Sequence, residues 1–551
     1  MSNGPATTPG PALAGASLYG TDVPGLSPPA RQAIKRIAPT LLAALLATVY
    51  VIVSPPSFDL AAHLLRAKLF RAEGFGLWNN WWYGGHHTLG YSVLFPPISA
   101  LLSPQLAAGL AAVGTAAAFE ALARRHFGED AWLGSLWFGA ATATNLFTGR
   151  LAFAFGLLPA MLAMLALQRR QTLLATALAV LTALASPVAA LFAALGGAAA
   201  AIGAYSDRRH VASAQPGLAV VAGALLPVAL LTLAFPEGGS EPFTFATLWP
   251  VLLIAAIALV TLPRAETALR AGALLYSLGC IAAYLVSSPV GSNAARLGAL
   301  LAGPLAALIW WRRRPVWLLA AALPLIYVQW QAPVRDVSHS ANDPSISASY
   351  YRPLLAFLER QSGPPFRVEI PFTKFHWETY DVAPDFPLAR GWERQLDIKY
   401  NPLFYGGALT PGTYRQWLHN LAVRFVAVSD ARPDFSAERE TQLINGGLPY
   451  LRPVLRTQHW RVFAVSAPTP IVAGTATLTR LASDSLTLYV SRPGTSEVRV
   501  RFSPYWSIEN GSGCVRPSGD FTRVEMRSTG TVRLAISFAP DRIAARSARC
   551  T

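Results

Sequence analysis

Long apolar runs alternate with short polar connections from residue 37 to residue 331, and there the pattern stops. The runs fall at 37–54, 104–123, 131–148, 151–168, 172–186, 187–205, 216–235, 246–262, 269–287, 293–311 and 315–331. A helix needs roughly 20 residues to cross about 30 Å of hydrocarbon, so the pattern predicts about eleven membrane spans. The stretch 172–205 is one apolar run interrupted only by Ser186-Pro187. It is divided there because two spans keep the cationic connections on alternate sides. Residues 91–103 are also apolar, but a span there would invert every later connection. With Pro96-Pro97 inside it, this stretch is expected to be re-entrant or interfacial.

The cations sharpen the topology. Arg31, Lys35 and Arg36 precede the first span. Arg124-Arg125, Arg169-Arg170, Arg208-Arg209, Arg264 with Arg270, and Arg312 to Arg314 then occupy every second connection. By the positive-inside rule the N-terminus is cytoplasmic, and the loop 55–103 and everything after 331 lie outside. The expected protein is a multi-pass plasma-membrane protein. A disordered cytoplasmic tail at 1–30, rich in Pro, Gly, Ser and Thr, precedes a membrane domain at 31–331.

Beyond 331 the periodicity changes. Residues 332–455 are expected to form an extracytoplasmic α/β domain, with strands at 366–370 and 423–428 and helical stretches at 350–361 and 413–421. Residues 456–551 alternate with period two, as in 477–490, 497–502 and 531–536, and predict an extracytoplasmic β-sandwich.

Composition agrees. The 551 residues are 53% hydrophobic and 13% charged, about half the charged fraction of a soluble chain. The formal charge of +16 does not indicate nucleic-acid binding, because the arginines punctuate spans instead of clustering on one soluble face. Lysine occurs only at Lys35, Lys68, Lys374 and Lys399, a bias toward arginine that points to a GC-rich bacterial genome. Cys280 lies in a span. Cys514 and Cys550 share the outer region and are expected to be close enough to bond.

The candidate chemistry lies in the first outer loop. Asp59 follows the first span, and His63 and Arg66 share its helical face at the fourth and seventh positions beyond it. An ionisable group beside a bundle is costly and commonly functional. Farther along come Trp78-Asn79-Asn80-Trp81-Trp82-Tyr83-Gly84-Gly85-His86-His87. This cluster suits a headgroup anchor, and it equally suits one wall of a site for a lipid-borne substrate. Trp377, Glu378, Trp392, Glu393, Gln395 and Asp397 could line an acceptor groove, or simply pack in loops and core.

A cytoplasmic tail, one span and a long outer loop opening on an acid make up a plan that resembles the GT-C superfamily of integral-membrane glycosyltransferases. The stretches Phe58-Asp59-Leu60-Ala61-Ala62-His63, Trp82-Tyr83-Gly84-Gly85, Thr148-Gly149-Arg150-Leu151-Ala152-Phe153 and Leu157-Leu158-Pro159 also resemble the bacterial 6-pyruvoyl-tetrahydropterin-synthase-related membrane proteins. So do Gly391-Trp392-Glu393-Arg394-Gln395 and Asn401-Pro402-Leu403-Phe404-Tyr405; YfhO-like proteins are similar more distantly. Pterin chemistry is not expected, for no histidine triad has zinc spacing. One departure stands out: Asp59 is followed by Leu60, where several GT-C branches carry a second acid.

The resemblance implies transfer of a sugar from a polyprenyl-phosphate donor to a glycan or other cell-envelope acceptor on the outer face. Asp59 is then the general base, with His63 tuning it. Arg66, Arg150, Arg296, His86, His87, Trp82 and Tyr83 are the candidate substrate-binding residues, with Arg150 first for the phosphate. Snorkelling is the competing role for Arg150 and Arg296. Asp59 with His63, His86 and His87 also has the ligand chemistry of a divalent-metal site, although no metal is assigned. Two rivals remain: a non-catalytic envelope-assembly scaffold, and a transporter or flippase of lipid-linked sugars, for which no internal repeat is seen.

Overall fold

A computed structural model describes residues 27–551; the expected tail, except for its last few residues, lies outside the described residues. The helical half opens with α1 (Pro28–Val53), α2 (Leu60–Glu73), α3 (Phe95–Leu102) and α4 (Pro104–Phe127). It continues through α5 (Trp132–Phe147), α6 (Leu151–Gln168), α7 (Thr172–Ala185), α8 (Pro187–Arg208) and α9 (Val211–Ala234). It closes with α10 (Phe245–Thr261), α11 (Thr267–Leu285), α12 (Ala295–Trp310) and α13 (Pro315–Ser340). Among the described residues, 8 helical stretches are long and apolar enough to cross a membrane, with α4 and α5 counted as one; α7 and α10 are shorter apolar helices. This half is that of a multi-pass membrane protein.

Local sequence explains the helix ends and the close packing. Ser186 ends α7 in extended backbone and caps α8, its Oγ accepting the Ala189 N–H at 3.4 Å. Pro187 follows at the first helical position, where no donor is lost. Helices α8 and α9 meet backbone to backbone at Gly197 and Gly217. A Cβ on Gly217 would stand 2.4 Å from the Gly197 carbonyl oxygen, so only glycine permits this approach. The short α3 is the apolar stretch expected to be interfacial, and its length cannot span.

The bundle has two unlike ends. At one, the cationic connections meet acids: Arg36 with Glu129 at 3.4 Å, Arg312 with Asp130 at 2.6 Å, His126 with Glu266 at 2.8 Å. At the other, residues 55–103 lie across the helix ends, with Ser92 Oγ donating to the Ala185 carbonyl at 2.7 Å. The C-terminal region sits on that second end.

Two expected boundaries move. Helix α13 continues to Ser340, well past 331, because its last turns carry polar residues yet bury Pro333, Asp336 and Ser340. The α/β unit contains α14 (Ala348–Glu359), α15 (Glu378–Asp381), α16 (Arg394–Tyr400), α17 (Pro411–Asn420) and α18 (Phe435–Asn445). After a small hairpin of β1 (Trp78–Asn79) and β2 (His86–His87) in the first loop, its strands are β3 (Arg367–Glu369), β4 (Val423–Ser429), β5 (Leu451–Arg456) and β6 (Trp460–Val465). They lie in the order β3-β4-β6-β5, with β3 parallel to β4. Strands β5 and β6 complete this sheet, so the division expected at 455 falls after Val465. Their alternation looks the same whichever sheet they join.

The remainder is a sandwich of a 5-stranded and a 4-stranded sheet. Its core comes from alternating positions such as Leu486, Leu488, Val490, Val532 and Leu534. The alternating stretch 477–490 is carried by two strands, with a turn between Leu481 and Ser485. Cys514 and Cys550 are disulfide-bonded across adjacent strands, with Cα atoms 4.0 Å apart. The bond closes a separation of 36 residues. Replacing both by serine is expected to lower sandwich stability by about 2–4 kcal/mol, read as an earlier denaturant midpoint than wild type. An unchanged midpoint would contradict that estimate.

Candidate functional site

Asp59 stands at the N-terminus of α2, but its side chain makes no capping bond. The half-buried carboxylate instead accepts the indole Nε1–H of Trp392 at 3.0 Å, from the α/β unit. The α5–α6 turn is pressed against the same segment. Gly149 has φ +74°, and a Cβ there would stand 2.1 Å from Ser57 Oγ, so the turn needs glycine both for conformation and for space. His63 Nε2 bonds the Gly149 carbonyl at 3.2 Å and locks the contact.

This docking brings Arg150, the N-terminal flanking residue of α6, toward Asp59. Arg296 arrives from α12, with its guanidinium 5.4 Å from the Phe153 ring centre. Its Nε is buried without a hydrogen-bond partner. Both arginines lie within electrostatic reach of Asp59 and Glu241, and Arg150 also of Asp336. Neither forms an ion pair at bonding distance among the described residues. The result is two cations without an ion-pair partner among the described residues, within electrostatic reach of one half-buried carboxylate at the bundle's end.

His63 was expected to tune Asp59, but it hydrogen-bonds elsewhere. It is fully buried against Tyr91 and Phe95, and burial, reinforced by Arg66, lowers its pKa to about 3. It is a neutral brace for the α5–α6 turn. Arg66 pairs with Glu393 and lies 4.2 Å from the Tyr91 ring centre, so it joins the first loop to the α/β unit.

The aromatic cluster is a seam between parts of the chain and not a headgroup anchor. Trp82 and Tyr83 are fully buried, and Trp78 nearly so. Trp78 packs on Trp506 of the sandwich at 5.7 Å. A Cβ on Gly391 would meet the Trp82 ring base at 2.3 Å, and Tyr83 Oη accepts the Glu393 N–H at 2.9 Å. From sequence, an aromatic run looks alike whether it faces headgroups or another domain.

The histidines also part company. His86 stacks on Trp82 with ring centres 5.8 Å apart, and His87 bonds Glu237 at 2.9 Å and Ser503 at 3.1 Å. Asp59, His63, His86 and His87 therefore do not form one ligand set. No group of three or more His, Cys, Asp or Glu placed to hold a metal occurs among the described residues.

Of the residues that could line an acceptor groove or simply pack in loops and core, Glu378 and Asp397 take the packing role, fully buried inside the α/β unit. Glu378 accepts from Thr373 Oγ1 at 2.6 Å, and Asp397 pairs with Arg390 at 2.5 Å. Trp392 borders the site, yet it is buried. His376 stacks on it with centres 3.4 Å apart and planes 10° apart, and the Arg394 guanidinium lies 4.7 Å from the ring centre. It is therefore no platform for a sugar. Sequence reasoning missed Glu241, Asp336 and His376. Asp336 carried a readable signal, as an acid beside an apolar run.

No family model matches this chain, and no curated protein matches it in sequence.

Proposed function

We propose that this chain is a GT-C-type glycosyltransferase that moves a sugar from a polyprenyl-phosphate donor to a glycan or other cell-envelope acceptor. The observation that carries the reading is Asp59, tied to Trp392 and within electrostatic reach of Arg150 and Arg296, two half-buried cations with no ion-pair partner at bonding distance among the described residues. The motif resemblance at Phe58-Asp59 and Thr148-Gly149-Arg150 points the same way.

The chemistry assigns each group a task. The acceptor hydroxyl oxygen bonds the anomeric carbon as the bond from that carbon to the phosphate oxygen breaks. Asp59 takes the hydroxyl proton. Arg150 and Arg296 stabilise the charge that grows on the departing lipid phosphate, and they act in a site of low dielectric where such help is strongest. Arg66, His63, Trp82, Tyr83, His86 and His87 hold the walls. The test is transfer of radiolabelled sugar from polyprenyl-phosphate-linked pentoses and hexoses by membranes carrying wild type or Asp59→Asn.

The reading includes a topology. Helices α1 and α4 to α13 are eleven spans, with the N-terminus cytoplasmic and the site on the outer face of the plasma membrane. A cysteine placed at Ser491 in the sandwich is expected to react with an impermeant maleimide on intact cells. One placed at Asp207, between α8 and α9, is expected to react only after permeabilisation. The opposite pattern would invert the orientation and overturn an outer-face reaction.

A further inference from the structure

The α/β unit contributes a single side-chain hydrogen bond to the Asp59 carboxylate, from Trp392 Nε1 across 333 residues of chain. The surroundings of Trp392 are built in a way that packing alone does not call for. His376, on one face of its ring, is fully buried, and neither of its ring nitrogens has a hydrogen-bond partner. The nearest carboxylates, Glu378 and Asp434, stand 3.8 Å from those nitrogens. The backbone of His376 is also left-handed, with φ +59°, a costly conformation for a residue with a side chain. An apolar ring would fill the same space without leaving polar atoms unpaired. Arg394, whose guanidinium also lies over the indole, is itself held by Asp434 at 3.0 Å. Asp434 thus borders both members of the clamp. The indole is buried against both of them, and its one polar atom points at Asp59.

We propose that Trp392 is a positioning residue that fixes the Asp59 carboxylate in its working orientation, with His376 and Arg394 acting through Trp392. The inference rests on the glycosyltransferase reading and deepens it: the C-terminal region becomes part of the reaction site. Trp392 touches no reacting atom; its N–H takes one carboxylate lone pair and leaves the other oxygen to meet the acceptor proton. Such orientation is worth most in the transition state, so its loss shows in kcat and not in donor affinity.

The experiment measures transfer from polyprenyl-phosphate-linked pentoses and hexoses by the full-length protein in proteoliposomes, for Trp392→Phe, Asp59→Asn and the double variant. Phenylalanine keeps an aromatic ring beside His376 and Arg394 and removes the N–H together with the rest of the pyrrole ring. Trp392→Phe is expected to lower kcat roughly 10- to 100-fold, with KM within about twofold of wild type. In the Asp59→Asn background the same change is expected to have no further effect, because it acts through the missing carboxylate. Trp392→Tyr, which also lacks the indole N–H, is expected to repeat the loss if Trp392→Phe does not accumulate in the membrane. Wild-type kcat in either aromatic variant, or an equal fall with and without Asp59, overturns the positioning role while leaving the base assignment intact. Full activity of Asp59→Asn, or no transfer by wild type from any donor tested, overturns the glycosyltransferase reading itself.

Discussion

Asp59→Asn is expected to lower sugar transfer by about two to four orders of magnitude while the chain still folds. Asparagine has nearly the same shape, and its Oδ1 can still accept the Trp392 N–H. The helix start is untouched, because the Asp59 side chain does not cap α2. Arg150 and Arg296 lose one counter-charge but keep Glu241, and Arg150 keeps Asp336 as well, so the change does not leave the two cations without a nearby acid. What disappears is the carboxylate assigned to take the acceptor proton. Initial rates with a labelled polyprenyl-phosphate sugar, normalised to protein in the membrane, give the measurement. Asp59→Glu keeps a base but moves it by one methylene, and an intermediate rate is expected. A wild-type rate for Asp59→Asn would remove Asp59 from the chemistry and leave the scaffold reading in front.

The helical half was largely legible because hydrocarbon imposes a long apolar run on every span and leaves the cations at the ends. The break at Ser186-Pro187 was legible for a local reason, as a cap followed by a residue that suits a helix start. The two displaced boundaries had no local mark. Polar residues after Gln331 continue α13 with Pro333, Asp336 and Ser340 buried among them, and β6 joins its sheet by pairing with β4, with β5 pairing onto β6, which sequence spacing does not encode. The site was half legible. Asp59, Arg150 and Arg296 could be named from charge against an apolar background. Their relation to Trp392 could not, because a contact across 333 residues is a product of the fold. His63 misled for a physical reason: an i+4 spacing puts two residues on one face only within a helix, and Asp59 stands at the helix start with its side chain turned toward the α/β unit.

The clamp on Asp59 adjoins a buried charge network whose arginine lies two residues before Trp392, and Arg390→Ala is expected to destabilise the α/β unit by about 3–5 kcal/mol. Arg390 is fully buried. It pairs with Asp397 at 2.5 Å and with Glu440 at 3.2 Å, and its guanidinium lies 4.0 Å from the ring centres of both Phe372 and Phe404. Burial alone would lower its pKa, but Asp397, then Tyr405 and Glu440, hold it well above the ordinary arginine value. Glu369 lies against the same group, and burial, then Glu440, raise its carboxyl well above the usual range. Removing the guanidinium leaves carboxyl groups in a dry interior with one cation fewer than the arrangement requires. Arg390→Lys is expected to recover little of the loss, because a compact ammonium can neither bridge two carboxylates nor lie flat between two phenyl rings. Denaturant unfolding of the detergent-solubilised protein, followed through tryptophan fluorescence, reads the effect as an earlier midpoint. Gly391 and Trp392 follow Arg390 directly, so transfer is expected to fall together with stability. A variant that unfolds at the wild-type midpoint would show that the carboxyl groups are neutral without Arg390, and that the clamp on Asp59 is held by the aromatic seam alone.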